Sequence, residues 1–186
     1  IRESYEFRRQ RLAAAVAAKY FGAEKVIVVD LSESRLAVAE KLGMITFKPD
    51  TGKLKHFLRE QHGIVTNDAR LGKQPGTDVF IEATGVGSVF QEICGIARKG
   101  ARIVVVALHF APAQLDMISL LMKELQITGA IEYPVEFPAV IEMLSSGKVD
   151  VRPMISHSFP LSRFNEAFAQ AQKQNEALKV LVDCQS

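Results

Sequence analysis

Only two cysteines occur among the 186 residues, Cys94 and Cys184, far apart and with no CxxC or Cys/His spacing around them. That excludes a disulfide framework and a cysteine-based zinc site as the foundation of the fold. A reducing, cytoplasmic setting is the expectation that goes with it. Long apolar runs are lacking as well. Ile103 to Leu108 is among the longest, far below the roughly 20 residues that cross a bilayer as a helix, so no membrane segment is expected. The amino terminus is too charged for a signal peptide. No one sign of charge dominates: 23 Lys and Arg stand against 21 Asp and Glu, scattered among one another, for a net charge of +2. Such a balance carries no footprint of nucleic-acid binding. The histidines, His56, His62, His109 and His157, form no HxxH or HExxH arrangement, and no metal ligand is expected among them. Glycine is absent before Gly22, and there is no internal repeat or low-complexity tract.

What is present reads as an ordinary globular chain, 48% hydrophobic and 24% charged, long enough to bury a core without staples. LAAAVAAKYF, Leu12 to Phe21, is rich in the strongest helix former and stops at Gly22. KVIVVD, Lys25 to Asp30, is a short continuous apolar run suited to a strand buried on both faces of a parallel sheet. Ser32 or Ser34 can cap a helix over residues 34–42, and a second strand follows at Met44 to Phe47. A helix is expected over 53–62. Turn-formers Asn67, Asp68, Gly72, Pro75 and Gly76 fill 63–76. Then come a buried strand at Asp78 to Ala83, a helix at 88–98, a strand at Arg102 to Leu108, a helix at 115–124 and a core strand at Leu125 to Ile131. Helices near 137–146 and 162–173 and a strand at Val180 to Val182 complete the reading. Strands alternating with helices of about ten residues predict an α/β fold with a doubly wound, mostly parallel sheet. The expected organisation is a lead at 1–11, a Rossmann-like nucleotide-binding domain at 12–147 and an extension at 148–186.

The acid closing the first visible strand is the leading candidate. In dinucleotide-binding α/β folds an acidic residue at this point accepts hydrogen bonds from the adenosine ribose hydroxyls, and Asp30 stands there. Its charge opposes a 2′-phosphate, which favours NAD over NADP. Arg35, five residues on, could brace Asp30 or accommodate a phosphate. The plainer alternatives are that Asp30 caps the next helix or is a solvated strand-end acid. A second candidate is TDVFIEATG with VGSVF, Thr77 to Phe90: a strand, a glycine turn and a helix start, where backbone N–H groups could face a ligand. Gly85-Val86-Gly87 is only a partial GxGxxG, and it equally well makes a tight turn.

In order, KVIVVDLSESRLAVAEKLG, TDVFIEATG, GARIVVVALHFAPAQLDMISLLMKELQITGAIEY, PAVIEMLSSGKVDVRPMISHSFPLSRFNEAFAQA and EALKVLVDC resemble the medium-chain dehydrogenase/reductase family, nearest to its sorbitol, butanediol and threonine dehydrogenases. The resemblance runs from about Leu12 to the carboxy terminus. It implies an NAD-linked oxidoreductase acting on a small alcohol or polyol. Asp30 and Arg35 then match adenosine-ribose contacts. Ala83, Thr84 and Gly85 match a loop near the nicotinamide, and Val106, Ala107 and Leu108 run beneath its ring. Gly129, Ala130 and Ile131 match further backbone contacts, and Lys179 matches a lysine that reaches toward the cofactor in some members. It also implies a homodimer through the strand at 125–131, and a carboxy-terminal extension that returns to the catalytic domain.

The sequence departs from the family in two ways. The family's catalytic zinc is held in a separate amino-terminal domain with no counterpart here, so zinc and every catalytic residue are expected outside these residues. Counting back about 20 residues from Asp30, where a glycine loop should cradle the pyrophosphate, lands on EFRRQRL. A first strand and its glycine loop are therefore expected to be missing, with NAD binding impaired. Either Ile1 to Phe7 substitutes for the strand, or the first helix begins earlier, or a partner chain contributes. The arginines Arg8, Arg9 and Arg11 oppose the dipole of a helix starting there and read as a solvated face or as phosphate contacts. Rival readings are a non-catalytic dimerisation module and a zinc-free quinone or enoyl reductase, for whose usual NADP Asp30 is an awkward residue.

Overall fold

The computed structural model describes residues 10–66, 68–131, 135–173 and 176–185. Ile1 to Phe7, Arg8, Arg9 and the turn-former Asn67 lie outside the described residues. The chain folds as two compact units, one holding the described residues of Ile1–Asp50 and Tyr133–Ser186, the other those of Thr51–Glu132.

The first unit opens with α1, Gln10–Tyr20, whose Leu12, Ala15 and Val16 recur at helical spacing and are buried. They pack with Val28, Leu36, Ala39, Met44 and Met143 in one apolar cluster. Strand β1, Ile27–Val29, pairs in parallel with β2, Ile45–Phe47, and α2, Glu33–Lys41, is the crossover between them. Ser32 is the cap of α2, while Ser34 bonds the Ser32 hydroxyl at 2.8 Å.

The second unit starts with α3, Leu54–His62, which buries Leu58. The stretch read only as turn-formers carries a short antiparallel pair, β3 Ile64–Val65 and β4 Gln74–Pro75. Two-residue strands leave no periodicity to read, which is why they went unforeseen. Three parallel strands follow, β5 Val79–Glu82, β6 Arg102–Val105 and β7 Gln126–Gly129, with β6 in the middle. Their crossovers are α4, Gly87–Ile96, and α5, Met117–Lys123.

Two expectations about these strands need correction. β5, expected as a buried strand, is buried on one face: Phe80 and Glu82 are buried, whereas Val79 and Ile81 are exposed. α4 packs on β5 and α5 packs on α4, and the buried and exposed residues of β5 alternate, as they do where one face of a strand is covered. β7 is no core strand either. Bonded on one side to β6, it is exposed at Gln126, Thr128 and Gly129.

Lys123, at the end of α5, is buried, and its Nζ donates to the carbonyls of Cys94 at 2.6 Å and Gly95 at 2.7 Å in the last turn of α4. A cation there suits the helix dipole, although burial first and the Lys55 charge second push its pKa down. Lys123→Ala is expected to lower unfolding stability by about 2–4 kcal/mol, because the buried Cys94 carbonyl and the part-buried Gly95 carbonyl lose their donor and a void opens. Urea unfolding followed by circular dichroism measures the loss, and Lys123→Met, which fills the space without donating, should recover only part of it.

The remaining elements return to the first unit. α6, Phe137–Ser145, buries Met143. β8, Ile155–Pro160, pairs in parallel with β9, Lys179–Asp183, across α7, Phe164–Ala171. β8 was not expected from the sequence: its ISHSFP composition is polar and closes on a proline. Its partner supplies the missing signal, since the Ser156 hydroxyl donates to the Lys179 carbonyl at 3.1 Å and accepts from the Leu178 N–H at 2.9 Å.

Candidate functional site

In the first unit, the Asp30 N–H bonds the Phe47 carbonyl at 3.2 Å and carries the β1–β2 ladder one residue further. The chain then turns at Leu31, and Ser32 starts α2, which sets Arg35 in its first turn within reach of Asp30. Oδ1 of Asp30 accepts from the Ser32 N–H at 2.9 Å and from Arg35 Nη2 at 2.7 Å. Oδ2 accepts from Arg35 Nε at 2.8 Å and from Arg11 Nη1 at 2.9 Å. Asp30 is 2% exposed. Burial is the largest influence on its carboxyl and raises the pKa. The bonds from Arg35 and Ser32 and the charges of Arg11 and Arg35 together outweigh burial and hold it below the ordinary value.

Neither plain alternative for Asp30 is therefore realised. It is no solvated acid, and the capping of α2 falls to Ser32. Of the two readings of Arg35, bracing is the one seen. Arg11 reads from the sequence as part of a solvated face or as a phosphate contact; its guanidinium instead reaches the Asp30 carboxylate while keeping some exposure to solvent, and a buried carboxylate requires such paired donors. One carboxylate between two guanidiniums also means that repulsion of a 2′-phosphate no longer follows from Asp30 alone. Lys179, placed with this site by resemblance, is exposed at the first residue of β9.

In the second unit the candidates gather at the carboxyl ends of β5, β6 and β7, the edge where ligands bind in open α/β sheets. Ala83 is buried, and Thr84 and Gly85 are half-buried. The Val106 N–H bonds the Glu82 carbonyl at 2.9 Å, and the Ala130 N–H bonds the Val105 carbonyl at 3.0 Å, so the three loops leave the sheet side by side. Val106, Ala107 and Leu108, expected in strand, lie just beyond β6, with Ala107 buried and Leu108 exposed. Gly129 ends β7, and Ala130 and Ile131 beyond it are exposed. Gly85 has φ +70°, and a Cβ there would stand 2.5 Å from the Leu108 carbonyl oxygen. Only glycine joins these two loops so closely without strain.

Glu82, which sequence reasoning passed over, organises this edge. It is 1% exposed. Its Oε1 accepts from the Thr84 N–H at 2.6 Å, from the Gly85 N–H at 3.2 Å and from the Thr84 hydroxyl, and its Oε2 meets His109 Nε2 at 2.7 Å. The Val86 N–H is taken by the Thr84 hydroxyl at 3.0 Å. The N–H groups expected to face a ligand are thus turned into the protein, because a buried carboxyl group needs them. Nδ1 of His109 is buried and has no partner among the described residues. An acid inside the apolar run VFIEA was the signal available for Glu82, since buried acids occur almost only with partners.

Parallel strands joined by helical crossovers, with candidate loops at their carboxyl ends, define a Rossmann-like α/β protein. The chain belongs to the zinc-binding dehydrogenase family, whose model matches residues 12–146. It is 34% identical over 175 residues to a 2-dehydro-3-deoxy-L-galactonate 5-dehydrogenase of Pseudoalteromonas atlantica, covering 94% of this chain and 48% of that protein. Sorbitol dehydrogenase of Bos taurus is 32% identical over 174 residues, covering 93% and 46%. Among solved structures, 2R,3R-butanediol dehydrogenase of Bacillus subtilis superposes with a TM-score of 0.77 at 25% identity, over 92% of this chain and 47% of that one. An alcohol dehydrogenase of Thermus sp. ATN1 gives 0.78 at 25%, over 92% and 48%. The chain spans about half the length of the curated relatives it matches. Among the described residues no group of three or more His, Cys, Asp and Glu could hold a metal ion, so a catalytic zinc does not fit the side chains described. No described helix is long and apolar enough to cross a membrane.

Proposed function

We propose that this chain is the NAD-binding part of a zinc-type dehydrogenase that transfers hydride between NAD and a small alcohol or polyol in the cytoplasm. The observation that carries the reading is the family match over residues 12–146, joined to an acid at the end of β1 where a ribose would be read. Asp30 and Arg35 are the adenosine-side residues. Ala83, Thr84 and Gly85, with Val106, Ala107 and Leu108 and with Gly129, Ala130 and Ile131, form the nicotinamide side, and Lys179 is a further cofactor contact. Zinc ligands and catalytic residues belong to other parts of the longer protein, as the relatives' lengths support. Within the chain, residues 12–147 are the nucleotide-binding domain and 148–186 the extension that returns to the catalytic part. β7 is the dimer contact: its exposed edge pairs with the same strand of a second copy, which protects it from indiscriminate pairing.

Titration with NADH, followed by nicotinamide fluorescence, tests the proposal. Saturable binding that NAD displaces, and that Asp30→Asn weakens several-fold, is the expected result. A chain that shows no saturable signal with NADH or ADP-ribose would not be a coenzyme-binding part, whatever its ancestry.

A further inference from the structure

Asp30 has no acceptor position left for a ligand. A carboxylate offers about four lone-pair directions, and the Ser32 N–H, Arg35 Nη2, Arg35 Nε and Arg11 Nη1 occupy them at 2.7–2.9 Å. Three of these donors come from the turn and first helical turn that follow Asp30 and are tied to the local fold. The fourth, Arg11, reaches from the second residue of α1, 19 positions upstream, and its side chain is 19% exposed against 9% for Arg35 and 1% for Asp30. Among the described donors to the carboxylate, Arg11 is the one both remote in sequence and in touch with solvent.

We infer that Arg11 sets the nucleotide affinity of this site by holding the Oδ2 position that a ribose diol needs. It is a positioning residue: it acts on the nucleotide through Asp30. The inference rests on the reading of Asp30 as the ribose contact. Binding of an adenosine ribose requires the Arg11–Asp30 bond to open, so removal of the guanidinium should strengthen binding. A residue with a merely structural role would weaken binding or leave it unchanged when removed.

The test compares wild type with Arg11→Met, which keeps the aliphatic stem against the protein, and with the double variant Arg11→Met/Asp30→Asn. The probes are NADH, ADP-ribose and nicotinamide mononucleotide, the last lacking the adenosine ribose. A charge-assisted hydrogen bond on a buried carboxylate converts to about tenfold or more in affinity. Arg11→Met should tighten NADH and ADP-ribose by that factor, leave nicotinamide mononucleotide unchanged, and lose its gain in the double variant. Should Arg11→Met melt below the assay temperature, Arg11→Lys, which donates from one nitrogen and reaches less far, is to show the same direction. Wild-type binding that weakens in Asp30→Asn but is not improved by either Arg11 variant overturns the inference and leaves the ribose reading standing. Binding indifferent to Asp30, or absent from every variant, overturns both.

Discussion

Asp30→Ala is expected to lower unfolding stability by about 3–5 kcal/mol, the range seen when one partner of a buried ion pair is removed. Guanidinium chloride unfolding at neutral pH measures it. The size follows from what remains: Arg35, 7% exposed, and Arg11 would both keep their charge with the carboxylate gone, and the Ser32 N–H would lose its acceptor. Asp30→Asn, which retains an acceptor and the volume, should fall between wild type and Asp30→Ala. The effect also depends on pH. The folded-state pKa is depressed, so the unfolded chain binds the proton more readily than the folded one as pH falls. Stability from the ionised group is present above the unfolded value of about 3.9 and is lost as pH drops through the lower folded value. The gap between wild type and Asp30→Ala should therefore narrow under acid, and a gap that stays constant or widens from pH 6 down to about 3 would contradict the assignment.

Glu82→Ala should cost about 3 kcal/mol, since it removes a buried carboxyl group and leaves several part-buried polar groups without their partner. The N–H groups of Thr84 and Gly85 and the imidazole of His109 all lose their partner. The loss should be local as well as global. Amide hydrogen exchange at residues 84–86 should rise above what the reduced global stability accounts for, because the turn after β5 is held by this side chain. Glu82→Gln keeps one acceptor oxygen and should lose less. Unchanged exchange in Glu82→Ala would mean that the turn is shaped by Gly85 and the ladder to β6 alone.

α1 and α2 end where Gly22 and Gly43 were read as stops, and the apolar run before Asp30 is the strand it resembles. Those features depend on neighbours close in sequence. β8 escaped notice because its residues are polar and its stability comes from pairing with β9, more than twenty residues away. The one-sided burial of β5 was misjudged for a related reason: a continuous apolar run states that a strand can be buried, and the helices packed around it determine which face is. At the candidate site, Asp30 and Arg35 were legible from spacing. Their engagement with Arg11 was not, because nineteen residues of helix and strand separate the two ends of that bond.

The sequence by itself determined the alternation of strand and helix, the parallel class of the sheets and the family to which the chain belongs, since these are written in local propensity and in blocks of order along the chain. Only the tertiary structure decided that the acid after β1 is already saturated, that Glu82 draws the turn's N–H groups inward, and that β7 is bonded on one side only among the described residues. The first two turn on a buried carboxyl group that must be given hydrogen-bond partners, and the third on which strands meet, none of which a preference within one segment reveals.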